Sequence, residues 1–212
     1  MIAADWVTIS ALATAAGTLV LAMATFASVR SANRAARVAE RTLLAGLRPL
    51  LVPSRFEDPV QKVQFVDNRW VQVEGGRASL QVDSDAILMV ISVRNAGAGV
   101  AVMDGWRFYP DRITRGERPE LESFTRLTRD IYIPARDVGF WQGAFRDPSD
   151  PGFAEAKAAI EERRPVTIDV LYGDHEGGQR TITRFGLLPH ADGVWLPAAG
   201  RYWSVDRDDP RH

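Results

Sequence analysis

The sequence predicts a mainly β protein: an immunoglobulin-like β-sandwich with one inserted helix, preceded by a long N-terminal transmembrane and juxtamembrane helix. Three observations predict this class. An uncharged apolar run lies near the N-terminus, an Ala- and Arg-rich segment follows it, and apolar and polar residues alternate beyond Pro49. With 46% hydrophobic and 25% charged residues, the chain has the composition of a folded protein. We expect a tail and span in 1–29, a basic amphipathic helix in 30–48 and a soluble β domain in 49–212.

The membrane span is predicted between Trp6 and Val29. No residue of this stretch is charged, and about 20 such residues cross a bilayer core when helical. A buried helix of a soluble protein is one alternative, but it does not require so long an uncharged run. A cleaved signal peptide is another, but its N-terminal region is basic, whereas residues 1–5 lack Lys and Arg and include Asp5.

The residues that flank the span predict its direction. Arg30, Arg34, Arg37 and Arg41 follow the apolar run, whereas the short N-terminal tail has no basic side chain. An excess of Lys and Arg marks the cytoplasmic side of a span. We therefore expect a single-pass, uncleaved signal-anchor in the inner (plasma) membrane, with the N-terminus outside and the C-terminal domain in the cytoplasm. The absence of cysteine from the sequence agrees with a reducing compartment.

Two faces of this N-terminal helix are candidate contact surfaces. The four arginines recur at helical spacing, so they share one face, which could contact anionic lipid headgroups. The alternative, a solvated face that serves only to orient the span, needs fewer assumptions. A stripe of small residues could bring two helices together as a homo-oligomer, although the abundance of Ala makes some small stripe inevitable. The small residues of this stripe are Ala13, Gly17, Ala24 and Ser28.

Beyond Pro49, runs rich in β-branched and aromatic residues end in clusters of Gly, Asp or Asn, which is typical of strands and turns. About ten such runs at regular spacing favour a two-sheet sandwich. One helix is expected at 151–164, between a capping Asp150 and Pro165. The link from Asn95 to Gly99 is predicted as a tight turn whose glycines supply positive φ angles. The predicted strands are 50–54, 60–66, 69–75, 87–95, 100–109, 130–134, 139–145, 166–172, 180–187 and 202–205.

The charge of the chain argues against nucleic acid as a partner. The formal net charge is −1, and the basic excess is confined to the N-terminal segment. Binding to a nucleic acid duplex requires a concentrated positive face that displaces counterions. We therefore expect no nucleic acid partner.

The densest polar cluster of the β domain is Asp174-His175-Glu176. These side chains could bind a cation or perform acid and base steps. The alternative is a polar hairpin loop in which Gly177 and Gly178 provide the turn geometry, and this explains the composition better. No His and Cys residues stand at zinc-ligand spacing. We expect no catalytic residue, no bound metal and no cofactor.

A second candidate is the aromatic run from Gly139 to Phe145. Its central residue, Trp141, would mark a partner-binding patch if it were exposed. The alternative is a place in the sandwich core, which the large apolar area of a tryptophan favours.

Four motifs resemble those of single-pass membrane proteins of bacteria, especially of the actinobacterial type, whose activity is not established. They are Arg48-Pro49, the run from Ile91 to Ala101, the run from Arg129 to Phe145 and the run from Tyr172 to Phe185. The resemblance covers about residues 5 to 110 and the two later motifs. It implies an anchored C-terminal β-sandwich and transfers no catalytic residue.

Together these features predict a membrane-tethered, non-enzymatic protein-interaction or scaffold module on the cytoplasmic face. Its expected partners are the lipid bilayer and a protein that the sequence does not identify. Two alternatives stay open. One is a small metal-binding or hydrolytic domain that uses Asp174, His175 and Glu176, and the other is an accessory subunit of a membrane complex.

Overall fold

The computed structural model describes residues 2–114 and 116–207. The chain divides into two compact units, the first ending at Ala45 and the second beginning at Gly46. The first unit is helical, and its helix, α1, spans Ile2–Gly46. The expected long N-terminal helix is thus confirmed, and it runs from the apolar stretch into the basic stretch without a break.

Helix α1 is long and apolar enough between Asp5 and Leu44 to cross a membrane. Its apolar side chains, such as those of Leu12 and Phe26, are exposed. Four hydroxyls of its uncharged stretch are satisfied within the helix, which lowers the cost of placing them in lipid. Ser10, Thr14, Thr18 and Thr25 each donate to a backbone carbonyl three or four residues earlier, at 2.8 to 2.9 Å.

The second unit contains twelve strands and one α-helix among the described residues. The strands in chain order are β1 Leu51–Pro53, β2 Gln61–Gln64, β3 Trp70–Val73, β4 Ala78–Val82, β5 Ile87–Asn95, β6 Ala101–Tyr109, β7 Thr125–Arg126, β8 Tyr132–Ile133, β9 Val138–Phe145, β10 Val166–Gly173, β11 Thr181–Pro189 and β12 Trp195–Ser204. A short 3₁₀ turn lies at Leu121–Ser123, and α2 spans Pro151–Glu161. The mainly β prediction is confirmed.

Ten of the strands form one antiparallel sheet, and β2 pairs with β3 in a separate hairpin. The main order is β1-β5-β4-β12-β11-β10-β6-β7, with β9 added to β5 and β8 added to β6. The step from β4 to β12 rests on the single pair Ala78 and Trp195. The sheet is therefore weakly joined at this point, between a part around β5 and a part around β10.

The main core collects buried side chains from both parts of the sheet. Ile91 and Trp141 come from β5 and β9, and Ile168 and Phe185 come from β10 and β11. Because these residues form one cluster, the sheet folds back on itself around a common core. Helix α2 also contributes to this core through Phe153, Ala156, Ala159 and Ile160.

The expected helix at 151–164 is confirmed, with a shorter C-terminal end at Glu161. Asp150 caps it, since its side chain accepts from the backbone N–H of Gly152 at 2.8 Å. Arg163 has a positive φ of 54°, which ends helical geometry before Pro165. The expected strand at 202–205 is too short, because β12 begins at Trp195. Pro197 and an unpaired Gly200 interrupt the alternation that marks a strand, and the register shifts there as in a β-bulge.

Candidate functional site

The Asp174 loop is a hairpin tip in which the polar side chains do not converge. Asp174 Oδ1 accepts from the backbone N–H groups of Glu176 at 3.1 Å and Gly178 at 2.8 Å. Gly177 has a positive φ of 79°, as the turn interpretation requires. The carboxylate of Asp174 thus holds the turn together, while His175 and Glu176 are exposed.

This geometry corrects the hypothesis of a metal-binding or hydrolytic centre at Asp174, His175 and Glu176. Such a centre needs its ligands directed into one concave pocket. Across the part of the chain that the structure describes, no group of three or more His, Cys, Asp or Glu side chains is placed to hold a metal ion. Adjacent residues at a hairpin tip point in different directions, which agrees with the preferred interpretation of this segment as a polar hairpin loop.

Trp141 is fully buried, so the hypothesis of a partner patch at this residue is wrong. It lies on β9 opposite Ile91 and is 0% exposed. Its ring meets the ring of Trp106 edge to face, with centroids 5.9 Å apart and planes at 72°. Gly143 leaves the space that the indole occupies, because a Cβ atom there would lie 2.6 Å from the Trp141 ring. Trp141 is therefore a core residue.

The β2–β3 hairpin presents a tryptophan that sequence reasoning did not single out as a surface residue. Its inner face packs through Val63 and Val71, both buried. On its outer face Trp70 stands opposite Gln64 and is 59% exposed. The other tryptophans of the β domain are all at most 3% exposed: Trp106, Trp141, Trp195 and Trp203.

The alternation of residues 70–73 contains the signal for this exposure. Side chains of a strand point to opposite faces in turn, so Val71 and Val73 share one face while Trp70 and Gln72 share the other. The valines are buried, and the two-residue period therefore places the indole outside. Tryptophan is one of the residue types that contribute most to binding in protein interfaces.

Charged side chains surround the end of the hairpin next to Trp70. Arg69 reaches three carboxylates, at 3.6 Å from Asp67, 3.3 Å from Asp83 and 2.6 Å from Asp85. The hydrogen bond from Arg69 holds the pKa of Asp85 below its ordinary value. Val66, at the hairpin tip, is exposed. The exposed apolar groups of the tip thus lie beside a polar, hydrogen-bonded rim.

The link from Asn95 to Gly99 holds the first residues of the second unit. Asn95 is fully buried. Its Oδ1 accepts hydrogen bonds from the backbone N–H groups of Leu50 at 3.1 Å and Gly97 at 3.0 Å. Its Nδ2 donates to the carbonyl of Gly99 at 2.7 Å. A Cβ atom at Gly97 would lie 2.2 Å from the carbonyl oxygen of Arg48. The glycines therefore permit a close backbone approach, and the expected positive φ is not the reason for them, since neither has one.

The candidate surfaces of α1 are treated separately, because α1 is a unit of its own. Arg30, Arg34 and Arg37 are exposed on the helix, and the side chain of Arg41 lies outside the described residues. Gly17 has open space around its Cβ position. The lipid contact of the arginines and the helix packing of Ala13, Gly17, Ala24 and Ser28 stay predictions.

Comparisons of this chain with protein-family models, with curated proteins and with solved structures found no match. The resemblance to bacterial single-pass membrane proteins stays a prediction that rests on the sequence motifs.

Proposed function

We propose that this protein is a membrane-tethered, non-enzymatic interaction module whose β domain binds a protein partner through Trp70. The exposure of Trp70 carries this proposal. An indole that is 59% exposed on a strand, in a domain whose other tryptophans are buried, leaves a large apolar area in water. Binding of a protein with a complementary apolar pocket would remove that area from water.

The location follows from α1. The helix between Asp5 and Leu44 contains an apolar stretch that is long enough to span a membrane. Arg30, Arg34 and Arg37 follow the uncharged stretch, and under the positive-inside rule they support a β domain on the cytoplasmic face of the plasma membrane. The N-terminus would lie outside.

The assignment of the β domain to the immunoglobulin-like sandwiches also stays a prediction. A single core shared by the two parts of the sheet supports a sandwich. The continuous order of ten strands differs from two separate sheets, although within the described residues the one strand pairing between the two parts is Ala78 with Trp195.

The orientation can be tested with single cysteines, because the sequence has none of its own. We suggest Asp5→Cys near the N-terminus and Ala135→Cys on the exposed turn between β8 and β9. A membrane-impermeant maleimide applied to intact cells is expected to label the first variant only, and to label the second after permeabilisation. Labelling of Ala135→Cys in intact cells would contradict the proposed orientation.

The partner surface can be tested with a photo-crosslinking amino acid at position 70 of the full chain in its membrane. Position 132 is the matched control, because Tyr132 is also 59% exposed and lies on β8. We expect a discrete adduct from position 70 and none from position 132. An adduct larger by one chain mass of 23.4 kDa would identify a second copy as the partner. Equal adducts from both positions, or none from either, would reject Trp70 as the docking residue.

The accessory-subunit hypothesis makes a different prediction in the same experiment. An accessory subunit of a membrane complex would give an adduct with an integral membrane protein. An interaction module that binds a soluble protein would give an adduct with that soluble protein. The identity of the adduct therefore separates the two hypotheses.

A further inference from the structure

Strand β4 has one paired edge and one largely open edge. Along the first edge it pairs with β5 over its whole length. Along the second edge, within the described residues, the one strand pairing is that of Ala78 with Trp195 at the start of β12. Because β4 and β12 run antiparallel, β4 continues past the start of β12. Residues 79–82 therefore have no neighbouring strand on this side.

The hydrogen-bond pattern shows which backbone groups face the open edge. The backbone N–H of Asp83 donates to the carbonyl of Ala86 at 2.8 Å, where β4 turns into β5. In an antiparallel pair, every second residue directs both its N–H and its C=O to the partner strand. The odd-numbered residues of β4 therefore bond to β5. Leu80 and Val82 direct their N–H and C=O groups away from β5, toward the open edge.

A cavity of about 380 Å³ lies along this part of β4. Binding sites for drug-sized ligands have volumes of about 300 to 1,000 Å³, so the cavity has room for a short peptide segment. Three segments line it: Gln72, Val73 and Glu74 at the end of β3, Ala78, Ser79, Leu80 and Gln81 of β4, and Gly193, Val194 and Trp195 at the start of β12. A separate extended segment fits such a recess better than a strand of a folded sheet, whose neighbouring strands would meet the surrounding segments.

The cavity adjoins the outer face of β3, which carries Trp70. Gln72 lies on this face two residues after Trp70, and it lines the cavity. Two residues of a strand span about 7 Å, so a segment in the cavity lies within reach of the indole. Val60 also lines the cavity and is 51% exposed, which adds an apolar contact.

Carboxylates outnumber cations at the start of β4. Arg77 is shared by two carboxylates, those of Glu74 and Asp192, each at 3.1 Å. Asp192 also contacts the imidazole of His190 at 2.9 Å, and this contact adds no positive charge while the imidazole is neutral. One negative charge is therefore in excess at this end of the strand.

The other end of β4 has a similar excess. Three aspartates, at positions 67, 83 and 85, contact Arg69 at 2.6 to 3.6 Å. One of them, Asp67, also lies 3.8 Å from Arg146. Three carboxylates thus share two guanidinium groups. An extended segment with Lys or Arg near both of its ends would complement the charge at both ends of β4.

We propose that the open edge of β4 receives an extended segment of the partner protein as an additional strand, with Lys or Arg near both ends of that segment. The N–H and C=O groups of an open edge are a template for pairing with another chain. Strand addition to such an edge is a recurring mode of peptide recognition, in which main-chain hydrogen bonds provide affinity. Leu80 and Val82 supply these hydrogen bonds. The inference rests on the proposed function, because the segment belongs to the protein that binds at Trp70.

The occupant can be identified with a photo-crosslinking amino acid at position 81 of the full chain in its membrane. Gln81 is exposed on β4 and lines the cavity. We expect an adduct of the same mass as the adduct from position 70, and none from the control position 132. Mass spectrometry of the adduct is expected to map the crosslink to a segment of the partner that is flanked by Lys or Arg. A crosslinked segment without nearby basic residues would overturn the charge assignment.

The backbone pairing can be tested with Leu80→Pro and its matched control Leu80→Ala, each with the crosslinker at position 70. Both variants remove the leucine side chain, but only proline removes the N–H that faces the open edge. An edge strand tolerates proline when the missing N–H does not face the neighbouring strand. We expect Leu80→Ala to keep the adduct and Leu80→Pro to lower its yield about tenfold, the effect of about one hydrogen bond.

The outcomes separate this inference from the proposed function. An adduct from position 70 without one from position 81, or equal yields from folded Leu80→Pro and Leu80→Ala, would overturn strand addition and leave Trp70 as the docking residue. The absence of adducts from both positions would reject the proposed function and the added strand with it. An adduct from position 81 larger by one chain mass of 23.4 kDa would replace the partner segment by a second copy. If Leu80→Pro does not fold, the result at position 81 decides.

Discussion

The hydroxyl of Tyr172 accepts a hydrogen bond from the backbone N–H of Leu51 at 3.1 Å, in a fully buried position. Tyr172 lies on β10, and Leu51 begins β1, the first strand of the second unit. The same hydroxyl is hydrogen-bonded to Thr183 Oγ1 at 2.8 Å on β11. One phenol thus joins the start of the β domain to the part of the sheet around β10.

Tyr172 is expected to make the domain sensitive to alkaline pH. Burial raises the pKa of its phenol to about 12, while the unfolded chain has the ordinary value of 10.0. Because the folded pKa is the higher one, the neutral phenol's contribution is complete below pH 10. It falls as the pH rises from 10 toward about 12, by about 3 kcal/mol in all. Denaturant unfolding of the full chain in mild detergent, repeated across this range, measures the loss.

Tyr172→Phe is the control for this pH dependence. It removes the titrating group, so the alkaline loss between pH 10 and 12 should shrink by the contribution of Tyr172. At neutral pH the variant should be less stable than the wild type by about 1 to 3 kcal/mol, because the backbone N–H of Leu51 loses its partner. An unchanged alkaline slope would show that other groups cause it.

Arg184 Nε and Nη2 donate to the buried carboxylate of Asp169 at 2.7 and 2.6 Å, and removal of one member of this ion pair should be costly. Asp169→Ala leaves a buried guanidinium without its carboxylate, and we expect a loss of about 3 to 5 kcal/mol in the free energy of unfolding. The double variant Asp169→Leu with Arg184→Met should lose much less, because neither charge remains. Glu74→Ala, which breaks an exposed pair with Arg77 at 3.1 Å, should cost at most about 1 kcal/mol. A double variant as unstable as Asp169→Ala would refute this explanation.

Gly99→Ala should destabilise the β domain because no space exists for a side chain. The new Cβ atom would lie 1.7 Å from the carbonyl oxygen of Leu47, which is backbone and cannot rotate away. We expect a loss of about 3 kcal/mol, measured by chemical denaturation. Gly46→Ala is the matched control in the same part of the chain, since its Cβ position has nothing within 4 Å. If Gly99→Ala leaves the free energy of unfolding unchanged, residues 47–50 are not held by the link from Asn95 to Gly99.

Trp141→Ala and Trp70→Ala should have opposite effects on the stability of the β domain and on partner binding. The first removes a buried indole from the core and should cost about 3 to 5 kcal/mol of stability. The second removes an exposed indole and should cost less than about 1 kcal/mol, while abolishing the adduct from a crosslinking amino acid at position 72, on the same face of β3. Tryptophan fluorescence during unfolding measures the stabilities. A large loss of stability in Trp70→Ala would make Trp70 a structural residue.

Short-range patterns were sufficient for the helices. The uncharged run before Val29 and the Pro-free Ala- and Arg-rich segment after it predicted α1, because helix formation depends on residues close in sequence. Asp150 and Pro165 likewise predicted α2. The same approach missed β4, whose Ala78, Ser79 and Gln81 have low β propensity and are held in a strand by pairing with β5. Strand pairing is long-range, so local composition does not specify it.

The candidate sites also show the difference between what neighbouring residues predict and what long-range contacts decide. Neighbouring Asp174, His175 and Glu176 suggested a centre, yet a hairpin turn separates their side chains in space. The converse holds for Arg112, Arg184 and Arg201, which are far apart in the chain but line one cavity, in part because β11 pairs with β12. Which side chains converge depends on strand register. A shift of one residue would move every side chain of the strand to the opposite face of the sheet.

The sequence by itself determined the long apolar helix, its basic flank and the mainly β character of the rest, because these depend on composition and period. The tertiary structure alone decided that Trp141 is buried and Trp70 exposed, that Gly97 and Gly99 make room for residues 47–50, and that three arginines share one cavity. Each of these depends on contacts between residues distant in the chain, which form only when the sheet folds back around its core.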